Sequence, residues 1–220
     1  MIELRNLSKI FRAEDVETHA LADVSLDVGA GEFVAIMGPS GCGKSSLLNI
    51  LGFLDRPSGG TYRLFGEDAA ALSDMALTRL RRRHVGFVFQ NFNLIDDLTV
   101  AENVEVSTLY RKGARTSVAD VLERVGIAHR AEHRPQQLSG GQQQRTAIAR
   151  ALAGDPTLIL ADEPTGNLDS VNGEAVIDLL KAVARSGTSV VMVTHAHVHA
   201  AAADRIVAML DGRIVGETRL

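Results

Sequence analysis

The hydrophobic and polar positions of the chain follow two different rhythms in its first quarter. Apolar and polar residues alternate over residues 2–7 and 24–28, which predicts half-buried antiparallel strands. Phe33–Met37 is instead an unbroken apolar run that ends in a glycine, as expected of a strand buried on both faces. Lys44–Leu51 then has helical spacing, so this region predicts paired strands followed by a strand–loop–helix unit.

The rest of the chain predicts a sheet with a helical insertion. Residues 61–65 and Val85–Phe89 predict strands, and residues 75–83 a helix. A mainly helical segment follows over about 91–153, with helices at 99–110, 117–125 and 142–153 and turns at Gly113 and Gly126. Strands and helices then alternate as strands 158–161, Ser189–Val193 and 206–210 and helices 173–184 and 196–203. Such alternation is typical of a parallel sheet covered by helices.

Length and composition fit one α/β domain with an inserted lobe. The 220 residues are 45% hydrophobic, enough for one sizeable core. The formal net charge of −4 indicates no nucleic-acid partner. A single cysteine cannot form an internal disulfide. The chain has no basic start followed by an apolar run, and no window of ~18 apolar residues, so we expect no signal peptide and no direct membrane insertion.

A glycine-rich segment between the first buried strand and the following helix carries the first candidate chemistry. It fits the pattern G-x-x-x-x-G-K-[ST], whose glycines let the backbone wrap round phosphates with its amides inward. Lys44 is suited to neutralise the β- and γ-phosphates, and Ser45 to offer its hydroxyl to Mg²⁺. The predicted nucleotide contacts are Gly38, Pro39, Ser40, Gly41, Cys42, Gly43, Lys44, Ser45 and Ser46. This motif alone leaves GTPases, kinases and several ATPase classes open, besides a chance match.

Two carboxylates close a later apolar strand. Asp162 follows residues 158–161 and is predicted to hold Mg²⁺, directly or through water. Glu163 lies one residue further, where a carboxylate can orient and deprotonate an attacking water. Taken alone, the pair reads equally well as a solvated strand end before a turn at Pro164. Beside a phosphate loop, the catalytic interpretation is favoured.

Leu138-Ser139-Gly140-Gly141-Gln142, followed by Gln144-Arg145 and Ala149-Arg150-Ala151-Leu152, resembles the signature of the ABC ATPases. A serine and two glycines that open a helix form an anion site from backbone amides and the helix dipole. The resemblance implies that Ser139, Gly140, Gly141 and Gln142 close on the γ-phosphate held by a partner subunit. An ordinary capped helix start is the alternative.

Further segments resemble the family in the family's order. Gln90 resembles the Q-loop glutamine, a ligand of Mg²⁺ or water, and His195 the switch histidine that contacts the γ-phosphate. Gly166-Asn167-Leu168-Asp169 resembles the D-loop, which implies that Asp169 lies at the dimer interface. Phe11 stands where members stack an aromatic ring on adenine. Ala196 departs from the pattern, because many members have Asp after the histidine.

The whole chain resembles the lipoprotein-releasing and macrolide-exporter subgroup, through 55–60, 92–99, 102–105 and 161–169. The resemblance implies an ABC ATPase fold: a phosphate-loop parallel sheet core, an N-terminal antiparallel β subdomain and an inserted helical subdomain. It also implies ATP and Mg²⁺ as ligands, a homodimer formed on ATP binding, and a separate integral membrane permease that holds the protein peripherally at the cytoplasmic face. Implied cargoes are lipoproteins, macrolides or peptide-like molecules.

Phe92 and Leu94 are candidates to contact the permease, although both could equally be core residues. Two rival functions remain. An ABC ATPase of DNA repair or translation would carry a long coiled-coil insert or a second cassette, and neither is present in this sequence. A regulatory nucleotide-binding subunit would lack Glu163, His195 or the signature, and all are present. His197 and His199 follow at alternate positions, and we interpret them as a solvated helix start rather than a metal site.

Overall fold

A computed structural model describes residues 1–13, 16–109 and 116–220. The predicted turn at Gly113 and the end of the predicted helix at Tyr110 lie outside these described residues. Within the described ranges, no helix has the length and apolar character needed to cross a membrane.

The described residues form strands, α-helices and short 3₁₀ turns. The strands are β1 (Ile2–Ala13), β2 (Val16–Val28), β3 (Phe33–Met37), β4 (Gly59–Leu64), β5 (Glu67–Asp68), β6 (Val85–Phe89), β7 (Leu158–Asp162), β8 (Ser189–Val193), β9 (Arg205–Leu210) and β10 (Arg213–Arg219). The helices are α1 (Lys44–Leu51), α2 (Asp74–His84), α3 (Val100–Glu105), α4 (Val118–Arg124), α5 (Gly140–Leu152), α6 (Ser170–Arg185) and α7 (His197–Ala200). The 3₁₀ turns are Ala69–Ala71, Ala128–Arg130 and Pro135–Gln137.

The strands build two sheets. An antiparallel sheet has the order β2-β1-β4-β5. A larger sheet has the order β10-β9-β3-β8-β7-β6 and is parallel except for its edge strand β10. The central strands β3 and β8 are buried at every position because both faces of the sheet are covered.

The alternation along β3 shows how the two faces are filled. Val34 and Ile36 pack with the antiparallel sheet and α1, whereas Ala35 and Met37 pack with α5 and α6 on the other face. A hydrophobic core therefore lies on each side of the parallel sheet. The carboxyl ends of parallel strands share one edge, so the segments that leave β3, β6, β7 and β8 emerge side by side.

Between residues 91 and 153, the described part of the chain contains α3, α4, α5 and two 3₁₀ turns. Helix α5 packs against α3, α4, α6 and β6. The boundaries of a helical subdomain stay a prediction.

Several elements differ from the sequence prediction. Helix α3 begins after Thr99, which forms a capping box with Glu102: each side chain accepts from the other residue's backbone amide. The helix ends at Glu105, earlier than predicted. The predicted helix 196–203 is a single turn, His197–Ala200. Strand β10 was not predicted, because most of its residues are exposed and its pattern carries no apolar alternation.

Candidate functional site

The predicted phosphate loop connects β3 to α1 in close contact with neighbouring strands. Gly43, which caps α1, has φ of 99°, and a Cβ there would lie 2.2 Å from the carbonyl oxygen of Ala20 in β2. Glycine is therefore required by both the backbone conformation and the close approach. The loop tip at Pro39, Ser40 and Gly41 is exposed, as a phosphate-binding segment must be.

Lys44 is buried at the first turn of α1, with only 8% of its surface exposed. Its Nζ donates to the carbonyl oxygens of Gly38, at 2.8 Å, and Pro39, at 2.9 Å. The ammonium group lies inside the curve of the loop that a phosphate would enter. Cys42 is also buried, with its Sγ 3.8 Å from this Nζ.

The carboxyl end of β7 brings Asp162 to the beginning of α1. Partial burial raises the pKa of the Asp162 carboxyl, and the nearby charge of Glu163 raises it further. A side-chain hydrogen bond from Ser45 and the positive charge of Lys44 act in the opposite direction. Serine hydroxyl and carboxylate oxygens are the hard ligands that Mg²⁺ prefers, and a divalent cation would relieve the crowding of negative charge. The residues present therefore fit a magnesium ion.

Glu163 and His195 leave the adjacent strands β7 and β8 and meet at their ends. His195 Nδ1 lies 2.9 Å from Glu163 Oε2, with the glutamate side chain 17% and the histidine side chain 73% exposed. The backbone of Glu163 has φ of 46°, an uncommon conformation for a residue with a side chain, and its amide donates to Val193 O at 3.0 Å. The chain is thus bent sharply so that the carboxylate stands at the floor of the site and the imidazole at its rim.

Gln90 follows β6 and is bonded to the segment after Glu163. Its Nε2 donates to Asn167 Oδ1 at 3.2 Å, and Asn167 Nδ2 donates back to Gln90 O at 3.0 Å and to Asn91 Oδ1 at 2.9 Å. Because the side-chain nitrogen Nε2 of Gln90 is engaged, its side-chain oxygen Oε1 is the atom left for a cation or water. The sequence placed Asn167 only inside a loop motif and did not predict this bond.

The signature residues stand apart at the beginning of α5. Ser139 caps the helix: its Oγ accepts from Gln142 N at 3.3 Å, and its amide donates to Gln142 Oε1 at 3.0 Å. A Cβ on Gly141 would lie 2.2 Å from Asn172 Oδ1 in α6, so this glycine allows the two helix starts to touch. The structure brings Lys44, Ser45, Asp162, Glu163 and His195 together, and it joins Ser139 and Gln142 to each other.

Phe11 and Asp169 are the remaining predicted contacts of the nucleotide. Phe11 is 45% exposed, pairs with Thr18 of the antiparallel strand β2, and has Lys9 Nζ 4.9 Å from its ring centre. Strand β2 meets the phosphate loop at Ala20. Asp169 caps α6 and accepts from the backbone and side-chain amides of Asn172, and these bonds hold the pKa of its carboxyl below the usual value.

A cleft of about 510 Å³ opens between the parallel sheet and the helical segment. Its walls combine apolar side chains with arginines and include Leu54, Arg81, Arg82, Phe87, Phe89, Asn93, Val106 and Arg150. Phe92 and Leu94 are half-buried and do not line it. The arginine set and the stacked rings of Phe87 and Phe89, 5.5 Å apart, were not predicted.

The histidines after the switch position have ordinary structural roles. His199 Nδ1 bonds Thr165 Oγ1 at 2.8 Å, and His197 is exposed at the first position of α7. Ala196 caps α7 without a side-chain bond, while its amide donates to Thr194 Oγ1 at 3.1 Å. Thr194 therefore supplies an acceptor beside the position where the family pattern has Asp.

Comparison with known proteins finds likeness over the whole chain. The family model described as ABC transporter matches residues 21–166. The macrolide export ATP-binding/permease protein MacB of Rhodospirillum rubrum is 50% identical over 99% of this chain and 34% of its own length. MacB 1/2 of Paracoccus denitrificans is 48% identical over 100% of this chain and 33% of its own. The chain thus spans about a third of the length of these curated relatives.

Solved structures give the same result. The dimeric ATP-binding cassette MJ0796 in a post-hydrolysis state, bound to ADP and Pi, has a TM-score of 0.92 and 44% identity and covers 100% of this chain and 99% of its own. CbiO1 from Clostridium perfringens, part of the ABC transporter complex cbiONQ, has a TM-score of 0.88 and 27% identity over 99% and 88%. The predicted fold class, a parallel sheet core with an N-terminal antiparallel β subdomain, is confirmed.

Proposed function

The chain belongs to the ABC transporter family, and on that premise we propose that it binds and hydrolyses Mg-ATP and drives a membrane permease through ATP-dependent closure of a homodimer. The observation that carries the proposal is the position of Glu163, a carboxylate that follows Asp162 at the strand end and is held 2.9 Å from His195 Nδ1. A base fixed at that place can act on a water beside a γ-phosphate.

The phosphate loop and its lysine form the binding half of the site. The exposed loop tip at Pro39, Ser40 and Gly41 and the beginning of α1 favour a triphosphate, because the N-terminus of a helix attracts anions. Lys44 exchanges its carbonyl partners for phosphate oxygens, and Phe11 offers its exposed ring to adenine. Glu163 takes the proton of the attacking water, while His195 and Gln90 hold the geometry.

Ser45, Asp162 and Gln90 are the residues that would hold Mg²⁺. Bound by these residues, Mg²⁺ would supply positive charge that neutralises the β- and γ-phosphates. Partial burial and the charge of Glu163 raise the pKa of Asp162, and a bound cation would offset both effects.

A second copy of the chain supplies the rest of the site. Ser139, Gly140, Gly141 and Gln142 lie at the N-terminus of the 13-residue helix α5, with backbone amides suited to a γ-phosphate from a partner. Asp169 lies on the exposed D-loop expected at the same interface. ATP contacts both copies only in the closed state, so binding favours closure and hydrolysis releases it. The dimeric likeness to MJ0796 supports this arrangement.

The cleft between the sheet and the helical segment is the proposed site of the permease. Its walls are partly apolar and include Phe89 and Asn93, which lie close to Gln90 in the chain. A permease segment bound there would therefore be coupled to the nucleotide site through Gln90. The protein would then lie peripherally at the cytoplasmic face of the membrane. The MacB likeness favours macrolide export, with lipoprotein and peptide-like cargo as further candidates.

The rival functions lack a supporting observation. A regulatory subunit would not need the Glu163–His195 pair, and the likeness to MacB favours transport over DNA repair or translation.

ATP turnover of the purified chain, measured against protein concentration, tests the proposal. We expect a rate that rises faster than linearly and disappears in Glu163→Gln, because two copies share each site. A linear rate that is unaffected by Glu163→Gln would refute both the shared site and the base.

A further inference from the structure

Gln144 is a buried amide in the interior of α5. None of its surface is exposed, and its Nε2 donates to Pro164 O at 2.6 Å and to Phe89 O at 3.4 Å. The first carbonyl belongs to the residue directly after Glu163, and the second to the residue directly before Gln90. One amide group therefore joins α5 to the two loops on which the hydrolytic site depends.

We propose that Gln144 is a positioning residue for ATP hydrolysis, which holds the loops of Glu163 and Gln90 at a fixed distance from each other and from α5. The inference rests on the proposed function, since it assigns Gln144 a part in that same site. The Gln144 side chain is fully buried, so its effect on the site passes through the two carbonyls.

The chemistry of the amide supports this role over a packing role. A planar NH₂ group carries two hydrogens, and two carbonyl oxygens lie on its side. The opposite oxygen, Gln144 Oε1, is buried without a hydrogen-bond partner among the described residues. A buried acceptor without a partner costs free energy, so a side chain kept only for packing would be apolar here. The two hydrogen bonds that Nε2 donates to the loops offset the free-energy cost of the unpaired oxygen.

The place of Gln144 on α5 gives the bridge its significance. The same helix begins with Ser139 and Gln142, which would face the nucleotide of a partner copy, and Gln144 lies two residues further along. Any shift of α5 on dimer closure is thus passed to Glu163 and Gln90 of its own chain. In this way each copy's signature helix adjusts the site that the same copy carries.

Amide hydrogen exchange of the nucleotide-free chain tests the bridge without requiring turnover. Gln144→Met keeps the length of the side chain and removes both donors. Thr146→Val is the matched control, because Thr146 is equally buried on α5 and its hydroxyl bonds only Gln142 O within its own helix, at 2.9 Å.

Exchange should accelerate at both loops when the donors are lost. The reporting amides are those of Glu163, Gly166 and Phe92, which are bonded to Val193 O, Glu163 O and Phe89 O. We expect exchange about tenfold faster at these amides in Gln144→Met and no change there in Thr146→Val. Unchanged exchange in Gln144→Met would overturn the proposal, as would acceleration spread over the whole chain.

Gln144→Glu supplies a second variant, in which faster exchange confined to the two loops distinguishes loss of the bridge from general destabilisation by a buried carboxylate. Its carboxylate has no hydrogen to donate to Pro164 O, but its protonated form has one. Loop exchange, corrected for the intrinsic effect of pH, should therefore return towards that of the wild type as the pH is lowered. Loop exchange in Gln144→Glu that does not depend on carboxyl protonation would count against the bridge.

Kinetics complete the test. Gln144→Met should lower kcat by on the order of tenfold to a hundredfold with the KM for ATP nearly unchanged, since misplacement affects the chemical step. A rise in KM at constant kcat would overturn the positioning role. Absence of turnover in the wild type as well would count against the proposed function, while the exchange result would still decide the role of Gln144.

Discussion

His195 Nδ1 lies 2.9 Å from Glu163 Oε2, which links the ends of the adjacent strands β8 and β7 through their side chains. The histidine side chain is 73% exposed and the glutamate side chain 17% exposed, so the pair spans the site from rim to floor. A nucleotide that enters the site would meet the imidazole first. The orientation of the carboxylate therefore depends on a residue that ligand binding can reposition.

Removal of the imidazole should impair chemistry more than binding. In His195→Ala we expect kcat to fall about a hundredfold or more, with ATP affinity changed only a fewfold, because Glu163 loses the partner that orients it. His197→Ala is the matched control, since His197 is exposed two residues further along. Steady-state ATPase and nucleotide titration separate the two effects. Equal losses of activity in both variants would refute a specific role for the pair.

Glu163→Gln should separate binding from hydrolysis. The amide retains the shape of the side chain but cannot take a proton, so turnover should fall by about 10²–10⁴-fold. With Mg-ATP, the variant should accumulate as a dimer on size-exclusion chromatography, and it should remain a monomer with ADP. Glu174→Gln, an exposed change on α6, should behave like the wild type. A Glu163→Gln chain that stays monomeric with ATP would contradict the shared site.

Asp162→Asn should stabilise the ligand-free fold while weakening Mg²⁺-dependent activity. The raised pKa means that the folded protein holds the Asp162 proton to a higher pH than the unfolded chain, whose carboxyl has the usual value of 3.8. Stability is therefore lost as the pH rises through the interval between these two pKa values, and above it the folded protein bears the full cost of a partly buried carboxylate. Asparagine avoids this penalty.

Thermal unfolding in EDTA checks the sign. At neutral pH the Tm of Asp162→Asn should exceed that of the wild type by about 1–3 °C. The difference should narrow as the pH falls towards 4, where the wild-type carboxyl also becomes neutral. A variant that is less stable at neutral pH, or a difference that grows on acidification, would show that burial does not dominate the pKa of Asp162.

Two neighbouring glycines should respond differently to alanine. A Cβ on Gly141 would lie 2.2 Å from Asn172 Oδ1, and the Asn172 side chain is held by Asp169 Oδ2 at 2.7 Å, so Gly141→Ala should cost about 1–3 kcal/mol. A Cβ on Gly140 would meet Leu168 at an ordinary 3.4 Å, so Gly140→Ala should be neutral or stabilising by up to ~1 kcal/mol. Urea unfolding of both variants measures the contrast. Equal stabilities would mean that α5 and α6 can separate freely at this contact.

The sequence carried the parts of the site that depend on local pattern. Residues after buried apolar runs, such as Lys44, Asp162 and His195, could be placed together because parallel strands end at one edge of a sheet. The fold class and the family, both predicted from sequence, are confirmed. The chemical roles of the site residues stay predictions.

What the sequence did not reveal depends on tertiary contacts. Gln144 reads as one polar residue among several in a helix, and only packing shows it to be buried between two loops. Asn167 reads as part of a turn, but it pairs with Gln90, which is 77 positions away along the chain. Strand β10 shows no apolar alternation because it is the edge strand of the sheet and most of its residues are exposed.

The position of Lys44 divides the energetic cost of nucleotide recognition between two processes. Its ammonium group has already left bulk water and is coordinated by the carbonyl oxygens of Gly38 and Pro39. The free-energy cost of dehydrating this cation is therefore met during folding. A phosphate that binds replaces two neutral acceptors with anionic ones, and no water has to be removed from the ammonium group at that step. The fold is less stable than one in which Lys44 remained hydrated, and nucleotide binding requires correspondingly little reorganisation of the loop.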